Sequence, residues 1–246
     1  MAGLANRASL HSFQGYLAVV CGVLMAAAIY LIFIKAPTDL VLGDVQRIFY
    51  FHVPIAITSF VAFFLVFFAS IAYLVRRDLK WDRLAHASAE VGVVFVTLAL
   101  LTGVIWGRPV WNTWWTWEPR LTTTLILWLI YVGYLMVRAN APSQAKAALY
   151  AAVVGIVDVV GVPITYFSVY WWRSIHPAPV IGPLAQPDAL EPVMLAILLF
   201  SQATFFVLFA YLVVTRVALR RSEDELRGIR FQFRRIGQRV APAQRG

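Results

Sequence analysis

Cysteine is almost missing from this chain: Cys21 is the only one in 246 residues. That excludes a disulfide framework, a CxxC redox pair and a CxxCH haem-attachment site, so the chain is neither a c-type cytochrome nor a thiol oxidoreductase. Charge is equally scarce, with only 13% Asp, Glu, Lys and Arg. No Gly-rich Walker motif is present, so any use of ATP falls to a partner. No internal repeat is visible. What fills the sequence instead is apolar: 61% hydrophobic residues, with a mean hydropathy of +0.75. That composition belongs to integral membrane proteins.

Six apolar runs, at about 15–34, 53–75, 87–106, 121–138, 147–170 and 192–215, have the roughly 18–25 residues a membrane-crossing helix needs. The expected fold class is therefore all-α, a polytopic bundle of six transmembrane helices. Residues 1–215 form the membrane domain and 216–246 a basic tail. The first run is long for a signal peptide and lacks a cleavage site, so it is expected to stay as an anchor. Of the 21 Lys and Arg, 16 fall on the side shared by the termini and the loops at 76–86 and 139–146. The positive-inside rule then puts both termini in the cytoplasm and the other three loops outside. The net charge of +9 is accounted for by this tail and by anionic lipid headgroups rather than by nucleic acid.

One outward segment stands apart. WGRPVWNTWWTWEPRLT carries Trp106, Trp111, Trp114, Trp115 and Trp117 within twelve residues. An interfacial aromatic belt uses one or two such rings per helix end, so this density reads as a platform for a large flat ligand. If 111–118 is helical, Trp111, Trp114, Trp115 and Glu118 share a face.

Two of the four histidines sit at the same outer edge, His52 in RIFYFHVP and His176 in YWWRSIHPAP. Either alone is an ordinary interfacial residue. Together, with aromatic neighbours and a proline within two residues of each, they suggest a pair of axial ligands. Zinc wants further Cys, His or carboxylate ligands in a cluster, and the outward carboxylates Asp39, Asp44, Glu118, Asp188 and Glu191 are not spaced as one. Copper centres favour thiolate or methionine, which these loops lack. Haem needs only two protein ligands, an aromatic surface and cations for its propionates. Arg47, Arg108, Arg120 and Arg173 are the cations on that face.

These three segments, in the order histidine, tryptophan cluster, histidine, resemble the CcmC family of membrane proteins from cytochrome c maturation, whose tryptophan-rich signature is called WWD. The resemblance covers nearly the whole chain. It implies that haem b is held non-covalently and transiently at the outer face of the bacterial cytoplasmic membrane. His52 and His176 would be the metal ligands and the Trp segment would bind the ring. It also implies delivery to a CcmE-type periplasmic haem chaperone, beside a CcmAB-type ABC transporter and a CcmD-type small membrane protein. This chain departs from the signature at Glu118, where the family usually has Asp. Whether such a protein assists the covalent attachment of haem to the chaperone, as an enzyme would, is left open by the sequence.

Two other functions compete. A haem exporter would show polar residues along its core or inverted repeats, and only Asp158 lies mid-membrane. A b-type electron-transfer subunit would hold its histidines inside the spans. Asp158, about eighteen residues and roughly 27 Å of helix from His176, is expected to be a hydrogen-bonded structural acid. His86 and Glu90 are expected to pair on one helix face. The segment SEDELRGIRFQFRRIGQRV is expected to form a basic amphipathic helix at the cytoplasmic surface.

Overall fold

The computed structural model describes residues 2–240 apart from Pro187 and Ala189, and side chains between Ser12 and Phe233 apart from those two and Phe231. Arg7, His11, Ile236 and the arginines beyond Arg230 lie outside the described side chains. Helix α1 (Ala2–Tyr30) ends in a wide π turn at Leu31–Lys35, and a 3₁₀ turn at Asp44–Ile48 leads into α2 (Phe49–Arg76). Then come α3 (Leu79–Trp111), α4 (Pro119–Asn140), α5 (Gln144–Asp158), α6 (Gly161–Trp171) and α7 (Pro192–Val240). No β-strand occurs among the described residues. Six helical stretches are long and apolar enough to cross a membrane, with α5 and α6 counting as one, so the expected all-α six-span class holds.

Local chemistry sets the boundaries. Arg77 takes the left-handed conformation at φ 54°, and Asp78 then caps α3 by accepting from the Lys80 amide at 2.9 Å. That two-residue turn forces α2 and α3 antiparallel and side by side. Their contact is close because α3 presents small residues. A Cβ at Gly92 would lie 2.8 Å from the Phe63 ring and 3.0 Å from Ala62. Phe63 stacks on Tyr131 of α4 with ring centroids 3.6 Å apart, and Leu127, Ala151 and Val162 complete this side of the core. On the other side Phe95 meets Phe205 and Phe209 of α7 edge to face.

The end of the bundle that carries the short α2–α3 turn is cross-linked by charge. Arg138 donates to both oxygens of Asp82 at 2.7 and 2.9 Å, with both side chains nearly inaccessible. His86 and Glu90 do pair, at 3.6 Å, but no sequence pattern foretells that Arg216 and Arg220 of α7 grip the same carboxylate. Arg83 and Gln144 meet on Asp224. These contacts hold the lower part of α7, which runs on from the last span without a break in the helix instead of starting a separate one.

The fifth span departs from a single straight helix. It breaks at Val159–Val160, directly after Asp158, and resumes at Gly161. The packing explains the break. Pro163 cannot donate to the carbonyl four residues earlier, and a Cβ at Gly161 would strike Leu127 at 2.8 Å. Asp158 is buried at the break, and its Oδ2 has no hydrogen-bond partner among the described residues.

Candidate functional site

At the opposite end of the bundle, α2, α3, α4, α6 and the 172–191 loop enclose a cleft of about 1260 Å³ of empty space, open on one side. His52 and His176 both line it, with Trp106, Trp111, Trp115 and Arg120. The remainder of its wall is mostly aliphatic and aromatic, with Ser59 and Thr124 as its hydroxyl residues beside Tyr166.

His52 is placed one turn inside α2. The helix starts earlier than hydropathy predicts because the Asp44–Ile48 turn runs directly into it, so this histidine sits on a rigid helix and not in a preceding loop. Its Nδ1 lies 3.0 Å from the Thr102 hydroxyl of α3. That hydroxyl already donates to the Leu98 carbonyl at 2.7 Å, so it accepts from the ring, and His52 carries its proton on Nδ1. The Nε2 lone pair is left for a ligand. The ring also needs Gly103, where a Cβ would come within 3.0 Å of its Cε1.

His176 reaches the same cleft from a loop. Helix α6 stops at Trp171, and Pro177 and Pro179 keep the next residues out of helical geometry. The loop folds back because the Tyr166 hydroxyl, with one proton to share, lies 3.0 and 2.9 Å from the carbonyls of Ile181 and Pro183, and Tyr170 donates to that of Leu184 at 2.9 Å. Gly182, at φ +107°, is required there, since a Cβ would collide with the Tyr166 hydroxyl. His176 Nδ1 lies 2.9 Å from the Pro177 carbonyl, which can only accept, so this ring too leaves Nε2 free. Burial first and the nearby Arg120 cation second hold its pKa down to about 4, which keeps the imidazole neutral.

The tryptophan segment does not form the single helix face that the 111–118 spacing allows. Helix α3 ends at Trp111, Asn112 turns the chain at φ 55°, and 112–118 is irregular up to Pro119, the first residue of α4. Asn tolerates the left-handed region, and proline drives the residue before it to extended geometry. As a result the five indoles divide. Trp106 stands 5.8 Å from the His52 ring and Trp111 6.4 Å from the His176 ring, each tilted by nearly 60°. Trp115 closes the wall between them. Trp114 and Trp117 point outward, 61% and 74% exposed, as are Trp171 and Trp172 to a lesser degree.

The arginines divide as well. Arg120 lines the cleft, makes a long 3.4 Å bond to the Tyr166 carbonyl, and has no ion pair among the described residues. Arg47 binds Asp44 and the Ile32 carbonyl, tying the π turn to α2. Arg108 binds Asn112 at 2.5 Å and lies over the Trp114 ring. Arg173 is exposed. None of these three lines the cleft. Glu118 is buried and does not line it either. It caps α4 by accepting from the Leu121 amide at 2.6 Å and accepts from the Ser174 hydroxyl.

The cleft wall combines a cation, two histidines and apolar surface. The indole N–H groups of Trp106 and Trp115 are buried in the packing, with no partner among the described residues, so these rings offer the cleft their apolar surface. Arg120 brings a cation with no ion pair within 4 Å among the described residues, and that cation suits an acceptor oxygen in a largely apolar space. Two neutral imidazoles add two ligands for one metal, and no cluster of three or more His, Cys, Asp or Glu that could hold a bare ion occurs among the described residues.

Comparison with known proteins agrees in extent. The CcmC family, described as "Heme exporter protein C", matches residues 4–230. The chain belongs to this family. A "Heme exporter protein C" of Bradyrhizobium diazoefficiens is 37% identical over 216 residues, covering 87% of this chain and 80% of its own length. Those of Haemophilus influenzae and Escherichia coli K12 are 34% and 35% identical, over 77% and 74% of this chain and 77% and 73% of their own lengths. The family match thus includes both histidine segments and the whole tryptophan segment. Thr102, Gly103 and Ser174 were not expected from the sequence. The only hint was the Gly103–Gly107 spacing, which flattens one face of α3 beneath the cleft.

Proposed function

We propose that this CcmC-family protein holds haem as a cargo in the cleft and hands it to a CcmE-type chaperone outside the membrane. The observation that carries the reading is the pair of histidines on one aromatic cleft, each with its Nδ1 engaged by a protein oxygen, His52 by the Thr102 hydroxyl and His176 by the Pro177 carbonyl. His52 and His176 supply the axial nitrogens. Trp106, Trp111 and Trp115 wall the ring, and Arg120 meets a propionate. The open side of the cleft leaves an edge of the cargo accessible, and Trp114 and Trp117 form an aromatic surface beside it for the chaperone. The cargo is haem b, bound without a covalent link and only in passage.

The excess of Lys and Arg at the tail end orients the bundle with both termini in the cytoplasm and the cleft facing the periplasm of a bacterial inner membrane. A CcmAB-type ABC transporter and a CcmD-type small protein are the expected neighbours, since this chain carries no nucleotide motif of its own. The name of the relatives, heme exporter protein C, also raises transport across the bilayer. Against that reading, the cleft lies at one end, and the middle of the bundle is filled by interlocked Phe63, Tyr131, Phe95 and Phe209.

The test is transfer in vitro. Haem-loaded protein in detergent or vesicles is mixed with apo-chaperone, and covalent haem on the chaperone is read by denaturing gel and haem stain. Wild type should transfer, and His52→Ala and His176→Ala should not. Transfer that is equally fast from both variants would sink the proposal.

A further inference from the structure

The two histidines are held in very different ways. His52 is fixed by a side-chain bond to Thr102 between two long helices. The ring of His176 is oriented only by its own neighbour, the Pro177 carbonyl, so its place depends on the anchoring of the loop backbone. One chain of bonds anchors it from the tryptophan side. The His176 amide donates to Ser174 Oγ at 3.1 Å, and that hydroxyl donates to Glu118 Oε2. The other oxygen, Oε1, accepts from the Leu121 amide at the start of α4. The carboxylate is buried, stays outside the cleft wall, and joins the first turn of a transmembrane helix to the loop.

We propose that Glu118 and Ser174 form a latch that positions His176, so that in this chain the carboxylate that follows the last tryptophan acts on the second imidazole through the loop backbone and not on the bound group. This rests on the proposed function, in which His176 ligates haem. The geometry also gives the longer Glu arm a use in this chain, because one carboxylate must cap Leu121 and reach Ser174 at once. Asp, a good helix cap, is one methylene shorter and would serve the cap and lose the reach.

Outer-shell partners of metal-binding histidines typically contribute about 10- to 100-fold to affinity. The experiment is titration of ferric haem into purified full-length protein, with affinity read from the Soret absorbance change and ligation from the low-spin bands, for wild type, Ser174→Ala, Ser174→Thr and Glu118→Asp, each also in a His176→Ala background where affinity alone is compared. Ser174→Ala and Glu118→Asp should bind about 10- to 100-fold more weakly, lose low-spin character and regain it on adding imidazole. Ser174→Thr, which keeps the hydroxyl, should stay within about threefold of wild type. In the His176→Ala background, Ser174→Ala should add nothing to the loss of haem affinity, whatever it does to the melting temperature. Wild-type affinity in Ser174→Ala, or an equal loss with and without His176, would overturn the latch while leaving the site itself intact. Absence of low-spin haem in wild type would instead remove the site, and the latch with it.

Discussion

Replacing Thr102 by Val asks whether the first imidazole is preset for ligation by its neighbour. Valine keeps the volume and branching of threonine, so packing between α2 and α3 should be unchanged. The change removes the acceptor 3.0 Å from His52 Nδ1. The Leu98 carbonyl that accepted the hydroxyl proton remains in its helix and loses little. The ring then keeps only the Ala99 backbone carbonyl as a hydrogen-bond partner. Outer-shell partners of metal-binding histidines typically contribute about 10- to 100-fold to affinity, and the remaining Ala99 contact puts the expected loss near the lower end, about tenfold. The assay is equilibrium titration with ferric haem, followed by reduction to compare the low-spin bands. The loss should persist in a Ser174→Ala background, since the two outer bonds act on different ligands. Affinity within twofold of wild type would refute the argument that Thr102 sets the tautomer of His52.

The same geometry fixes other outcomes. Gly103→Leu should abolish haem binding without unfolding the protein, because a side chain there enters the space of the His52 ring, already 3.0 Å from the first added carbon; retained binding by spectrum would show that the cleft is placed wrongly. Trp114→Ala with Trp117→Ala should leave haem titration unaltered and slow transfer to the chaperone, whereas Trp106→Ala or Trp115→Ala should weaken haem binding itself. Asp82→Asn should lower unfolding stability by about 3–5 kcal/mol, since it strands Arg138 at a buried site; a melting curve unmoved by the change would contradict that pair's burial. His176, with its pKa lowered from 6.5 to about 4, binds fewer protons than a free imidazole between those values, so its ligation should be fully present above pH 6.5, persist through pH 5 and fail only near pH 4. Loss of the low-spin bands with a midpoint near 6.5 would contradict the shielding by burial and Arg120.

Hydropathy located all six spans, because each needs about twenty apolar residues whatever it packs against. It missed where they begin at the functional end. The second span begins at Asp44 and not near residue 53 once the Asp44–Ile48 turn is counted, since polar Asp44, Gln46 and Arg47 are helical but not apolar. The two histidines and the tryptophans were visible because those residue types are rare and conspicuous. Their division into wall and surface was not, because it depends on the turn at Asn112, which one residue's left-handed conformation decides. The arginines show the limit most plainly. Four cations on one face looked equivalent in sequence, yet three are absent from the cleft wall and only Arg120 lines it. Thr102 and Ser174 are common residues whose importance comes only from the groups that stand opposite them.

The most direct measurement is the oxidised and reduced absorption spectrum of the purified protein, set beside His52→Ala, His176→Ala and the double variant. The account predicts low-spin bis-histidine bands in wild type, their loss in either single variant, and their partial return with added imidazole. Low-spin haem retained in the double variant would contradict it, and would place the ligands elsewhere than in this cleft.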